Sequence, residues 1–227
     1  MEDEKINALV QWLNENGNEV SVDDVIDEGW NRYSVNGDDY LVCTDEEADE
    51  EFKSSEESLI DDLGIDSFSD WFQTWILDNA INTSWFESAL EEEADYLASE
   101  YSNESSSTYE NRLVEECYDH DLITDDDFET GEDGNPDYER CTVEEWDLQD
   151  RFKTWYVDHQ EDAVEWYKMN FGNESFRDVV KEHNLLDVDA IIEEVKRNDG
   201  RGGALAAYDG VENEVDYNGE WYYIYRC

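Results

Sequence analysis

Asp125, Asp127 and Glu129 stand at alternate positions, the spacing of the first three ligands of a calcium loop, but the sixth position is Thr130 and the twelfth is Pro136. Such a loop lacks the glycine that makes its turn and the glutamate that closes its coordination. Cys117-Tyr-Asp-His120, with Cys141, offers three zinc-type donors without the paired spacing of a structural site. Buried free thiols are the simpler reading. The three histidines, His120, His159 and His183, fall in no nucleophile or zinc-protease signature, and Gly200-Arg-Gly-Gly203 lacks the spacing of a phosphate loop. Carboxylates are so numerous that no pair stands out as an acid and a base held in different environments. These side chains predict no catalysis, no metal and no cofactor, which leaves binding.

Charge indicates what would be bound. The 227 residues carry 65 Asp and Glu against 14 Lys and Arg, a formal net charge of −51. Residues 1–150 hold 48 acids and 5 bases, residues 151–227 hold 17 and 9, and no Lys or Arg occurs from Ser54 to Asn111. Self-repulsion on that scale opposes compaction, so the acid has a use beyond solubility. Adaptation to molar salt would account for a carboxylate coat, but the chain uses Lys, Ile and Asn freely and has only 11 Ala. The candidate partner-binding residues are Asp45, Glu46, Glu47, Asp49, Glu50, Glu56, Glu57, Asp61, Asp62, Glu91, Glu92, Glu93, Asp95, Asp125, Asp126, Asp127 and Glu129. Exposed members of Trp71, Phe72, Trp75, Trp85 and Phe86 are candidate anchors, although their helical spacing fits a core better.

The composition sits at the edge of foldability. Leu, Ile, Val and Phe make up 48 of 227 residues, beside the roughly 20% line of disordered acidic chains. The 9 Trp and 14 Tyr decide for a folded protein, because each ring buries a large apolar area. No apolar run approaches the length of a membrane span, and the N-terminus lacks a signal-peptide pattern, so a cytoplasmic location is expected. Four scattered cysteines predict reduced thiols.

The elements that must position these acids read as α+β, predominantly helical with short antiparallel β-hairpins, the clearest at the C-terminus. Ile6, Leu9, Val10 and Leu13 share one face of a helix over 4–16 that stops at Gly17. Tyr33–Val35 and Tyr40–Cys43 flank Asn36-Gly37, a hairpin signal. Thr44-Asp-Glu-Glu47 is a capping box opening an acidic helix. Helices are expected over 68–80, 84–101 and 108–119, with Ser105–Ser107 as a break, and residues 121–140 read as a loop. A second capping box, Thr142-Val-Glu-Glu145, predicts a long helical stretch to about residue 170. Helices follow near 175–185 and 188–198, then two or three strands turning at Asp209-Gly210 and Asn218-Gly219. The expected division is an acidic α+β region, 1–140, and a helical segment with C-terminal hairpins, 141–227, or one compact unit.

Two segments, YLVCTDEEADEE (Tyr40–Glu51) and the C-terminal DGRGGALAAYDGVENEVDYNGEWYYIYRC, resemble segments of small acidic proteins of unassigned role encoded by tailed bacteriophages. That likeness implies a phage origin and carries no activity with it. In charge balance, though not in any motif, the chain also resembles phage antirestriction DNA mimics such as the T7-type inhibitor of type I restriction enzymes. A compact chain of this length is about 45 Å across, and a duplex of that length carries roughly 26 charges. The chain has enough carboxylates to imitate it. The expected function is inhibition of a host restriction–modification enzyme or CRISPR effector by filling its DNA-binding cleft, in the host cytoplasm, without direct nucleic-acid or membrane binding and compatible with a homodimer. The alternative is binding to another basic host protein, such as a nucleoid or transcription factor.

Overall fold

The computed structural model describes residues 2–160 and 162–227. In chain order the elements are α1 (Glu2–Glu15), β1 (Val25–Gly29), β2 (Arg32–Val35), β3 (Asp38–Cys43), α2 (Asp45–Leu63), α3 (Asp70–Asn79), α4 (Ser84–Asn103) and α5 (Arg112–Asp119). They continue with β4 (Phe128–Thr130), β5 (Pro136–Cys141), α6 (Glu145–Asp158), α7 (Ala163–Glu182), α8 (Val188–Asp199), α9 (Gly202–Leu205), β6 (Asn213–Tyr217) and β7 (Glu220–Arg226). The fold is α+β, mainly helical, with antiparallel sheets and a C-terminal hairpin.

The chain forms two compact units, Met1–Ala80 with Asp187–Cys227, and Ile81–Leu186. The second is thus an insertion into the chain of the first. The expected division at residue 140 does not coincide with these units, because β7 pairs with β3 and draws the C-terminus into the N-terminal sheet.

In the first unit, five strands run in the order β1-β2-β3-β7-β6. Asn36 and Gly37 adopt positive φ of 55° and 93°, the mirror-image turn that matches strand twist, and join β2 to β3. Asn218-Gly219 does the same for β6 and β7. Alternation sends Tyr40 and Val42 toward α1, where Ala8, Leu9, Leu13, Tyr222 and Ile224 complete a core. Leu41, Cys43 and Tyr225 point the other way and are buried as well, beneath α2 and α9. A strand covered on both faces reads as a continuous apolar run, as YLVC does.

Several local expectations are corrected. Val25–Gly29 adds a strand, β1, that was not expected. The expected loop 121–140 contains β4 and part of β5; Pro136 begins β5, a position where a missing N–H costs no ladder bond. The helix expected from residue 108 starts at Arg112, because the Asn111 side chain accepts from Val114 N–H and caps it there. The second capping box does not form: α6 begins at Glu145, and Thr142 donates its hydroxyl to the Asp127 carbonyl at 2.9 Å instead. The stretch expected to run to residue 170 ends at Asp158, and Asp162 caps a new helix by accepting from Val164 and Glu165. The helix expected over 175–185 is the second half of α7, beyond a kink at Gly172 with φ 87°. Asp209-Gly210 is a turn in the approach to β6, so the tail holds two strands.

The second unit packs Leu113, Val114 and Cys117 of α5 against Ala98, Phe128, Leu148 and Phe152. Nearer its ends, Phe86 meets Tyr167 and Phe176 at ring distances of 5.3 Å, and an antiparallel bridge joins Ile81 to Leu186. In α4 the residues Phe86, Leu90, Ala94 and Ala98 fall every fourth position on the buried face. Burial of that stripe offsets like-charge neighbours such as Glu87 and Glu91, four residues apart on the same helix.

Candidate functional site

The excess charge of residues 1–150 is divided between the two units, because the boundary at Ala80 cuts that stretch. The first unit holds 34 acids and 7 bases, net −27; the second holds 31 and 7, net −24. Among the described residues at least eleven of the fourteen Lys and Arg form ion pairs with carboxylates of their own unit. The cations are therefore consumed internally, and the surplus is carboxylate.

Helix ends sharpen the point. None of α1 to α6 has a basic residue in its last turn, where a cation would complement the helix dipole. Asp61 and Asp62 occupy that turn of α2 in exposed positions, against the dipole, at a cost of about 0.3–1 kcal/mol each. They add nothing to helix stability.

The sequence-predicted residues separate into three groups. Glu46, Glu50, Asp61, Asp62, Glu91, Glu92 and Asp126 are exposed, and Glu93 is half-buried on α4. A second group already has partners. Lys5 donates to both oxygens of Glu47 at 2.6 Å. Burial alone would raise the Glu47 carboxyl, but hydrogen bonds from Lys5 and Thr44 outweigh it and hold the pKa below its ordinary value. Asp45 and Asp49 accept from Arg201, and Asp49 also from Lys196. Glu57, Asp95 and Glu129 pair with Lys53, Lys153 and Arg140.

Asp125, Asp127 and Glu129 do not converge. Asp125 accepts from the hydroxyls of Tyr118 and Tyr138, Asp127 caps Thr124 N–H, and Glu129 faces Arg140. His120 stacks on Trp155 at 3.7 Å, and the Cys117 thiol lies 3.6 Å from the Leu148 carbonyl. Among the described residues no three side chains are grouped to hold a metal ion. Burial pushes the Cys43 and Cys117 thiols up to about 12, so neither supplies thiolate near neutrality.

Glu56 alone forms the third group and departs from the expected solvent-facing acid. It is 7% exposed and lines a cleft of about 670 Å³ in the first unit. Phe52, Leu59, Phe68, Trp71 and Phe72 form its apolar wall, and Asn198, Asp199, Gly200 and Gly203 its polar side. No hydrogen bond or ion pair engages the Glu56 carboxylate among the described residues. Desolvation, and then the charge of Asp199, raise its pKa. Of the aromatic candidates, Phe72 and Phe86 are core, Trp75 and Trp85 are half-buried, and Trp71 is 65% exposed at the cleft. Sequence reading missed the cleft because α8 and α9 build one wall of it. A carboxylate on the Ala48, Phe52, Ile60 stripe was its only local sign.

Among the described residues no helix is long and apolar enough to cross a membrane. Comparison with protein-family models, curated proteins and solved structures finds no match.

Proposed function

We propose that this protein is a phage-encoded DNA mimic, a non-enzymatic inhibitor that fills the DNA-binding cleft of a host defence enzyme with carboxylates. The observation that carries the reading is the internal consumption of Lys and Arg, which leaves a net −27 and −24 on the two units. A unit of this size is about 34 Å across, and a duplex of that length carries roughly 20 charges, so either unit matches the charge of the DNA it would replace. Acids placed against the helix dipole at the end of α2 support the same reading, since they add nothing to helix stability.

Such a surface attracts basic clefts from a distance and fixes register through carboxylates set where phosphates would lie. The test is a mobility-shift assay with labelled duplex DNA and purified type I restriction enzymes and CRISPR effectors. The protein should displace DNA from its target, and its affinity should drop by orders of magnitude between about 50 and 500 mM salt. Exchanging exposed Glu91 and Glu92 for Gln should weaken displacement while the melting temperature holds or rises. A ternary complex with undiminished DNA affinity would mean binding elsewhere on the enzyme. Displacement of none of these enzymes, with tight binding to a nucleoid or transcription factor, would replace the reading with that class.

A further inference from the structure

On α2, positions 48, 52, 56 and 60 form one buried stripe, and three are apolar: Ala48, Phe52 and Ile60. The fourth is Glu56, a residue only 7% exposed, whose carboxylate meets solvent at the cleft and has no hydrogen bond or ion pair among the described residues. A largely desolvated, unpaired carboxylate is costly, and an apolar residue on this stripe would serve folding better. Beside it lie the carboxylate of Asp199, the ring of Phe72 and the indole of Trp71, and no Lys or Arg lines the cleft among the described residues. Phe72 and Trp75 stack at 5.4 Å, which steadies the aromatic wall.

We infer that this cleft takes an arginine of the basic partner, its guanidinium between Glu56 and Asp199 and its stem on Trp71 and Phe72. The guanidinium fits better than an ammonium because it is weakly hydrated, donates as a planar fork and stacks on aromatic faces. The cleft volume, about 670 Å³, falls within the roughly 300–1,000 Å³ of small-ligand sites and admits an arginine with its chain neighbours. Gly203 borders open space, since a Cβ built there meets no heavy atom within 4 Å, so a large side chain at this position would project into the cleft. The occupant's source rests on the proposed function; the preference of the cleft for a cation with an apolar stem rests on its own residues. Exposed acids supply attraction, and this pocket supplies the site-specific contact that charge by itself does not.

The probe is the blocked pentapeptide Gly-Leu-Arg-Leu-Gly and its citrulline counterpart, which keeps the shape and loses the charge. Binding is followed by calorimetry at 150 mM salt, where diffuse attraction is screened within about 8 Å. The arginine peptide should bind saturably and the citrulline peptide about tenfold more weakly or worse. Glu56→Gln should collapse that ratio toward one, and Gly203→Phe should abolish binding of both. Asp150→Asn, an exposed change in the other unit, should leave peptide binding as it is. Equal weakening by Glu56→Gln and Asp150→Asn would overturn the pocket in favour of general acidity, and so would absence of saturable binding to the wild-type protein. DNA displacement retained alongside failed peptide binding removes the cleft but not the mimic. Peptide binding retained alongside failed displacement removes the mimic but not the cleft. Gly203→Phe, which leaves Glu56 in place, keeps the comparison decisive if the Gln variant unfolds.

Discussion

Arg201 and Glu212 are joined by two hydrogen bonds, Nε to one carboxylate oxygen at 2.8 Å and Nη2 to the other at 3.1 Å. Arg201 is only 8% exposed, and it also donates to Asp45 and Asp49 while its guanidinium lies over the Tyr223 ring at 4.4 Å. The Tyr225 hydroxyl donates to Glu212 at 2.6 Å and closes the network. One buried cation thus ties the start of α2 to the C-terminal hairpin. The network thereby joins Tyr40–Glu51, which runs from β3 into α2, to the C-terminal stretch.

Removing that cation leaves carboxylates facing one another in a partly desolvated site. Arg201→Leu should cost about 3–5 kcal/mol in urea unfolding, and Arg201→Lys should recover little of it because an ammonium cannot make the two-pronged contact. A loss below about 1 kcal/mol would mean that solvent already screens the network.

Glu56 should give the stability curve a pH dependence of unusual sign. A carboxyl with a raised pKa binds its proton more tightly in the folded chain, so its contribution grows as pH falls through that pKa and is absent well above it. Asp49 behaves in the opposite way. Burial would raise it, but hydrogen bonds from Lys196 and Arg201 prevail, so its stabilisation is present near neutrality and lost in acid. Melting temperatures of Glu56→Gln and wild type should therefore converge, or shift in favour of wild type, as pH is lowered from 8 to below the ordinary carboxyl value of 4.5. A difference that stays constant over this range would show that Glu56 is as well solvated folded as unfolded.

Adjacent rings on β7 should differ sharply. Tyr222 is 2% exposed within the core beneath α1, whereas Trp221 is 54% exposed on the opposite side of the pleat. Tyr222→Ala should cost about 3–5 kcal/mol and Trp221→Ala about 0.5 kcal/mol or less, measured by denaturant unfolding. Trp221 closes no core, because strand alternation sends it outward.

Gly202 and Gly203 offer a similar contrast within α9. A Cβ at Gly202 would stand 2.5 Å from the Gly210 carbonyl oxygen and 2.9 Å from the Glu212 amide nitrogen, both backbone atoms that cannot swing away. Gly202→Ala should destabilise by about 1–3 kcal/mol, while Gly203→Ala should be neutral or slightly stabilising in thermal unfolding. Equal effects at the two positions would contradict the close approach of this turn to the Gly210 backbone.

Interactions within a few residues were legible from the sequence. The box at Thr44, in which Glu47 N–H donates to the Thr44 hydroxyl and Thr44 N–H to the Glu47 carboxylate, depends on a side chain and the backbone three positions away. So do the turns at Asn36-Gly37 and Asn218-Gly219, whose residues tolerate positive φ. Total charge is a sum over composition and needs no fold. The α+β class followed from these signals together. Thr142 shows their limit: its pattern repeats that of Thr44, but the Asp127 carbonyl competed for its hydroxyl and the helix began elsewhere. The short strands β4 and β5 escaped detection because a bulged pairing partner stabilises them more than their own residues do. Long-range pairing decided the remainder. Only the ladder of β3 with β7 places the C-terminus against α2, and only α8 and α9, arriving from the far end of the chain, turn Glu56 from a surface acid into the floor of a cleft. Burial depends on what other segments cover, and so a residue's own neighbours in sequence do not reveal it.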